Sequence, residues 1–275
     1  LQGGHSGMDI HKGLANANKL MNRLLFDGFE NFGLRIAMMD GGSLRNAIPR
    51  ESSAIFVVDT ISKEPFIFET EELINILKEE FATIEPKLSI RVEATELPNK
   101  VMDLGVQEGF LKSVYAATNG VYRMSTDIDG LVETSNNIAR ITVNNGQIYI
   151  GCLTRSSSET SKYDLANSLR AAFELAGFEV SYSGAYPGWQ PNINSEILKL
   201  LDVIYLNQHQ EKAHIAACHA GLECGILGQN YPDLDMVSFG PTIRGAHSPD
   251  ERASISSTQK FWNFLVEILK NIPKK

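Results

Sequence analysis

The chain has 275 residues, 43% of them hydrophobic and 21% charged, which suits one large domain or two ordinary ones and excludes compositional disorder. Its 25 Lys and Arg stand against 33 Asp and Glu, a net charge of −8, so nucleic acid and anionic membrane are not expected as partners. No apolar run approaches the ~20 residues of a membrane span. The three cysteines (Cys152, Cys218 and Cys224) are an odd number in a long chain, so no disulfide framework and a reducing, cytoplasmic setting are expected.

The chain opens Leu1-Gln2-Gly3-Gly4-His5 without an initiator Met, as if entered part-way through a strand, so a fragment is expected. Asp9 or an Asn near Asn16 can cap a helix carrying Leu20/Leu24 and Met21/Leu25. Leu34, Ile36 and Met38 alternate as in a strand, Gly41-Gly42 marks a turn or bulge, and Ala54 to Val58 is a second strand. Ile74, Leu77, Phe81 and Ile84 predict a helix ended by Pro86, and Leu88, Ile90 and Val92 a half-buried strand. The order to this point, β-α-β-β-α-β, is that of a ferredoxin-like α+β sandwich.

An elaborating second half follows. A helix carries Val106, Phe110 and Val114. Residues 138–143 and 147–153 form a hairpin around Asn145-Gly146. The helix with Leu165, Leu169 and Phe173 stops at Gly177, and Phe178 to Ser183 is again a strand. Tyr186-Pro187-Gly188-Trp189-Gln190-Pro191 reads as an interdomain hinge. Beyond it the rhythm is α-β-α-β-α: a helix with Ile197, Leu201 and Ile204, a short strand near Ile215, a helix from Gly221, a buried strand from Leu234 to Phe239, and a helix with Phe261, Phe264 and Ile268. That alternation points to a parallel, doubly covered α/β sheet.

Chemistry is expected in four loops. Gly3-Gly4-His5-Ser6-Gly7 leaves an imidazole uncrowded, though a surface histidine in a tight turn fits equally. Asp9-Ile10-His11 reads as a capping Asp and an exposed His before it reads as a metal pair. Gly41-Gly42-Ser43-Leu44-Arg45-Asn46-Ala47-Ile48-Pro49-Arg50 can present donors to a carboxylate or oxyanion, or be a bulge with solvated arginines. Cys218-His219-Ala220-Gly221-Leu222-Glu223-Cys224 lacks the spacing of a closed zinc site and suits a strand entering a helix whose N-terminus can bind an anion. In the loop after Phe239, His247 sits between glycine and proline with Asp250 and Glu251 close enough to orient its ring, and a structural cap on the last helix is the competing role for Asp250 or the serines.

Five motifs, in this order, resemble one family: Gly3-Gly4-His5-Ser6-Gly7 through Asp9-Ile10-His11 to Asn16-Ala17-Asn18-Lys19; Gly41 to Arg50; Gly184-Ala185-Tyr186-Pro187-Gly188-Trp189-Gln190-Pro191; His219 to Gly225; and Gly240 to Glu251. They are similar to those of the bacterial aminoacyl-histidine (Xaa-His) dipeptidases, carnosinase-like di-zinc metallopeptidases, from Leu1 to about Pro273. The resemblance implies an α/β/α catalytic domain interrupted by a lid that also forms a homodimer. Residues 1–184 would be the lid and 185–275 the last part of the catalytic domain. It implies that His5 polarises the scissile carbonyl or stabilises its oxyanion and that Asn46 helps hold the substrate. Arg155 would grip the dipeptide's C-terminal carboxylate, Gly221 would lend backbone contacts, and His247 would be the last zinc ligand.

Two zinc ions per site are implied, with manganese or cobalt as alternatives, and small dipeptides including Xaa-His as substrates. The family's His-x-Asp pair, bridging Asp, Glu-Glu pair and further Asp ligand have no counterpart in this chain. The intact protein is therefore expected to be a dipeptidase and this chain by itself inactive. A non-catalytic lid and dimerisation module, or a non-hydrolytic peptide-binding relative, is the alternative.

Overall fold

The computed structural model describes residues 1–189, 192, 194–216, 223–244 and 251–273. The described chain forms two compact units, one of Leu1–Gly188 and one beginning at Trp189.

In chain order the first unit contains β1 (Gly4–His5), α1 (Ala17–Phe32), β2 (Arg35–Gly42), β3 (Ala47–Ile48), β4 (Ser52–Val57), α2 (Lys63–Glu80), α3 (Leu104–Ala116), β5 (Gly120–Met124), β6 (Val132–Asn144), β7 (Gln147–Ser156) and α4 (Glu159–Leu175). Helix α1 begins where the Asn16 side-chain oxygen accepts from the N–H groups of Asn18 and Lys19, and it ends at Gly33, whose φ of 65° suits glycine. The long strand β6 is the spine of an antiparallel sheet. β7 runs along one of its edges, while β2 and β5 share the other, and β4 lies outside β2. Asn145 and Gly146, both at positive φ, make the tight turn from β6 to β7.

Four helices cover this sheet. Leu25, Phe66, Phe110 and Leu165, one from each helix, meet Ile36, Ile138 and Ile141 in a single core. The apolar spacing of α4 is thus spent on the sheet, as is that of α3 at Phe110 and Val114, while Val106 is exposed. Lys19 ties α1 to the end of α3, its ammonium donating to the carbonyls of Val114, Tyr115 and Ala117, and burial lowers its pKa. Cys152 packs against the core, where burial pushes its thiol up to about 11.

Several expected strands are absent. The first strand is only β1, paired with β3 outside the main sheet, so the βαββαβ order does not build one sheet from residues 1–92. Leu88–Val92 and Phe178–Ser183 are irregular. Their alternation reports facing correctly, since Leu88 and Ile90 pack against the Leu20/Leu77 cluster and Phe178 and Val180 against the main core. A strand also needs a neighbour to take its backbone groups, and no ladder forms there.

The second unit contains α5 (Glu196–His209), α6 (Glu223–Asn230), β8 (Ile243–Arg244), β9 (Arg252–Ala253) and α7 (Ile255–Asn271). Leu201 and Ile204 of α5 pack on Phe264 and Ile268 of α7. Among the described residues there is no parallel sheet, so the strands expected in the α-β-α-β-α rhythm are not seen there. Among the described residues no strand pairs with the segments near Ile215 and from Leu234 to Phe239, and Leu234 and Phe239 are exposed. No helix among the described residues is long and apolar enough to cross a membrane.

Candidate functional site

His5 lies in β1, opposite Ala47 of β3. The chain then folds back on itself. The Asp9 N–H donates to the His5 carbonyl at 2.8 Å, and the His5 N–H donates to Asp9 Oδ2 at 2.8 Å. Hydrogen bonds from Lys12 and from the His5 backbone hold the Asp9 carboxyl below its usual range, outweighing the opposing effect of burial. Asp9 is therefore the tie of this turn, and Asn16 is the helix cap. Inside the turn, the N–H groups of Gly7 (3.2 Å) and Met8 (3.0 Å) both donate to His5 Nδ1. A nitrogen that accepts carries no proton, so the neutral ring has its proton on Nε2. The turn thereby selects the tautomer whose Nε2–H is a donor.

Asn46 is brought beside this turn, because the Ser6 N–H donates to the Asn46 carbonyl at 2.8 Å. The loop bearing Asn46 is held from below by Asn137 of β6, whose Nδ2 donates to the carbonyls of Ala47 (2.7 Å) and Arg45 (3.2 Å). Asn137 Oδ1 in turn accepts from Asn16 Nδ2, which also reaches Asn119 Oδ1 and the Ile138 carbonyl. Asn16, Asn18 and Asn137 are all buried, so this is an interior amide network joining the start of α1 to the loop. Gly41 and Gly42 admit it. A Cβ at Gly41 would stand 1.9 Å from Asn18 Oδ1, and one at Gly42 1.9 Å from the Ala139 carbonyl oxygen.

Arg155, near the end of β7, is 8% exposed. Its Nε donates to Ser6 Oγ at 3.5 Å and its Nη1 to the Tyr186 hydroxyl at 3.2 Å. Among the described residues no carboxylate pairs with it. It opens on a groove of about 430 Å³ also lined by Tyr186, Arg45 and Lys162. A largely buried guanidinium held by neutral hydroxyls keeps its charge and its fork of donors for an anion.

The structure thus gathers His5, Asn46 and Arg155 around Ser6. Gly221 and His247 lie outside the described residues, as do Cys218, His219 and Asp250. Arg50, exposed, stands 3.9 Å from Glu51. Among the described residues no group of three or more His, Cys, Asp or Glu side chains could hold a metal ion, so the described donor set does not fit a di-zinc centre. Sequence reasoning did not single out Ser6, Asn137 or Tyr186. Ser6 and Tyr186 sit inside quoted motifs. The signal for Asn137 was Ser135-Asn136-Asn137, consecutive polar residues that break strand alternation.

Comparison with known proteins first matches part of the chain to a family model. Residues 1–85 match the model of a peptidase dimerisation domain, that of the M20 peptidases. The particular relatives are dipeptidases. Cytosol non-specific dipeptidase of Escherichia coli (strain K12) is 40% identical over 277 residues, covering 100% of this chain and 57% of that protein. The crystal structure of aminoacylhistidine dipeptidase from Vibrio alginolyticus superposes with a TM-score of 0.90 at 40% identity, covering 100% of this chain and 56% of that one. The resemblance carried by the five motifs therefore extends along the whole chain. The chain spans a little over half the length of these relatives, and that span by itself does not bear out the expected fragment.

Proposed function

We propose that the whole protein is a metal-dependent dipeptidase, acting in the cytosol on small dipeptides including Xaa-His, and that this chain supplies the side of the site that grips the substrate. The observation carrying this reading is Arg155: a buried cation with hydroxyl partners, next to the His5 turn and the Asn46 loop. In this reading the dipeptide's C-terminal carboxylate meets the guanidinium fork, and the Asn46 amide helps hold the peptide. His5 Nε2–H donates to the scissile carbonyl oxygen, where negative charge grows during attack. The tautomer fixed by Gly7 and Met8 makes that nitrogen a donor before substrate arrives. The likeness to two dipeptidases supports the activity, and the dimerisation-domain match supports a homodimer formed through residues 1–184 as a lid.

Zinc, with manganese or cobalt as alternatives, would be held by His247 together with carboxylates that the described residues do not provide. Bound metal would supply an activated water. Hydrolysis of alanyl-histidine by the whole protein, abolished by chelation and restored by zinc, tests the reading. Metal-loaded protein that cleaves no dipeptide contradicts it.

A further inference from the structure

Tyr186 reaches Arg155 from a segment tied at both ends. Lys162 Nζ donates to the Tyr186 carbonyl at 2.9 Å, and the Gly188 N–H donates to Glu159 Oε1 at 2.8 Å. Glu159 also accepts from Lys162 Nζ at 2.5 Å, so both ties spring from the first turn of α4. Between them Pro187 fixes its own φ. Gly188 comes so close to β7 that a Cβ there would lie 2.6 Å from the carbonyl oxygen of Ser156, the residue next to Arg155. A segment whose composition reads as a hinge is, up to Gly188, a clamp built against the strand that carries the arginine.

What the clamp delivers is a neutral acceptor. An Asp or Glu in the place of Tyr186 would neutralise the guanidinium, whereas a hydroxyl orients it and leaves the charge. Of the five N–H donors of Arg155, Ser6 and Tyr186 engage two, and the three that remain suffice for a forked contact. We propose that Tyr186 is a positioning residue for Arg155, its hydroxyl turning the guanidinium so that the remaining donors meet a substrate carboxylate. This role rests on the dipeptidase reading above.

The test uses the whole zinc-loaded protein with alanyl-histidine and its C-terminal amide, which lacks the carboxylate. Tyr186→Phe removes one oxygen and keeps the ring. Its KM for the free acid should rise roughly tenfold, the loss of one hydrogen bond to a charged group, with kcat changed less than about twofold. The KM for the amide should stay close to the parent's, and the substitution should add nothing in an Arg155→Met background. Gly188→Ala, which displaces the clamp and leaves the hydroxyl in the sequence, should give the same acid-selective rise. Equal effects on acid and amide, or an undiminished effect in the Arg155→Met background, would overturn the positioning role. If Arg155→Met raises KM for the acid and Tyr186→Phe does not, the positioning role alone falls. If Arg155→Met leaves that KM unchanged, the gripping role falls and the positioning role falls with it.

Discussion

Replacing Arg155 by Met should move substrate binding and stability in different directions. A charge-assisted, forked contact to a carboxylate contributes about 1.5–3 kcal/mol, so KM for a dipeptide should rise roughly 10- to 150-fold. For stability two effects oppose each other. Losing the hydrogen bonds to Ser6 and Tyr186 removes about 1–3 kcal/mol. Against that, a side chain only 8% exposed and without a carboxylate partner no longer buries a charge, a desolvation term of several kcal/mol. The methionine fills much of the volume of the arginine stem. The balance predicts a melting temperature unchanged or a few degrees higher, at about 2–4 °C per kcal/mol for a domain of this size. Scanning calorimetry and steady-state kinetics on the same preparation read both quantities. A melting temperature lowered by more than about 5 °C with KM unchanged would make Arg155 a structural tie and refute the reasoning.

Asn137→Ala removes the amide that holds the carbonyls of Ala47 and Arg45 and accepts from Asn16, leaving buried partners unsatisfied. It should cost about 2–4 kcal/mol in urea unfolding, and a loss below about 0.5 kcal/mol would mean the network does not hold the loop. Asp9 and Glu159 both titrate below their usual values. Burial opposes the shift in each, and it is outweighed by Lys12 and the His5 N–H at Asp9, and by Lys162 and the Gly188 N–H at Glu159. Because the folded state favours the carboxylate, their stabilisation is present above the ordinary carboxyl range and is lost as pH falls through the lower folded values. Carbon-detected NMR titration of the two side chains should place both midpoints below those of model peptides, and midpoints at or above those values would contradict the two ties.

Local signals in the sequence carried far. The Asn16 cap, the Asn145-Gly146 turn and the inward faces of α4 and α7 follow from residues within a few positions of one another and stand where their patterns put them, whereas in α3 Phe110 and Val114 face inward and Val106 is exposed. Strand pairing did not follow, because alternation at Leu88–Val92 or Phe178–Ser183 says which side chains turn inward and nothing about which strand lies alongside. The site was legible in part for the same reason. His5 and Asn46 lie in quoted motifs and Arg155 was named only by what the resemblance implies, while Ser6, which joins them, and Tyr186, which reaches Arg155 across 31 positions, depend on contacts that only the fold creates.

The most direct measurement is a crystal structure of the whole protein with a phosphinic analogue of alanyl-histidine, in which a phosphorus oxygen takes the place of the oxyanion. The analogue's carboxylate should lie within about 3 Å of the Arg155 guanidinium, and that oxygen within about 3 Å of a His5 Nε2. A carboxylate held by other groups, with Arg155 still bonded to Ser6 and Tyr186 alone, would contradict the account.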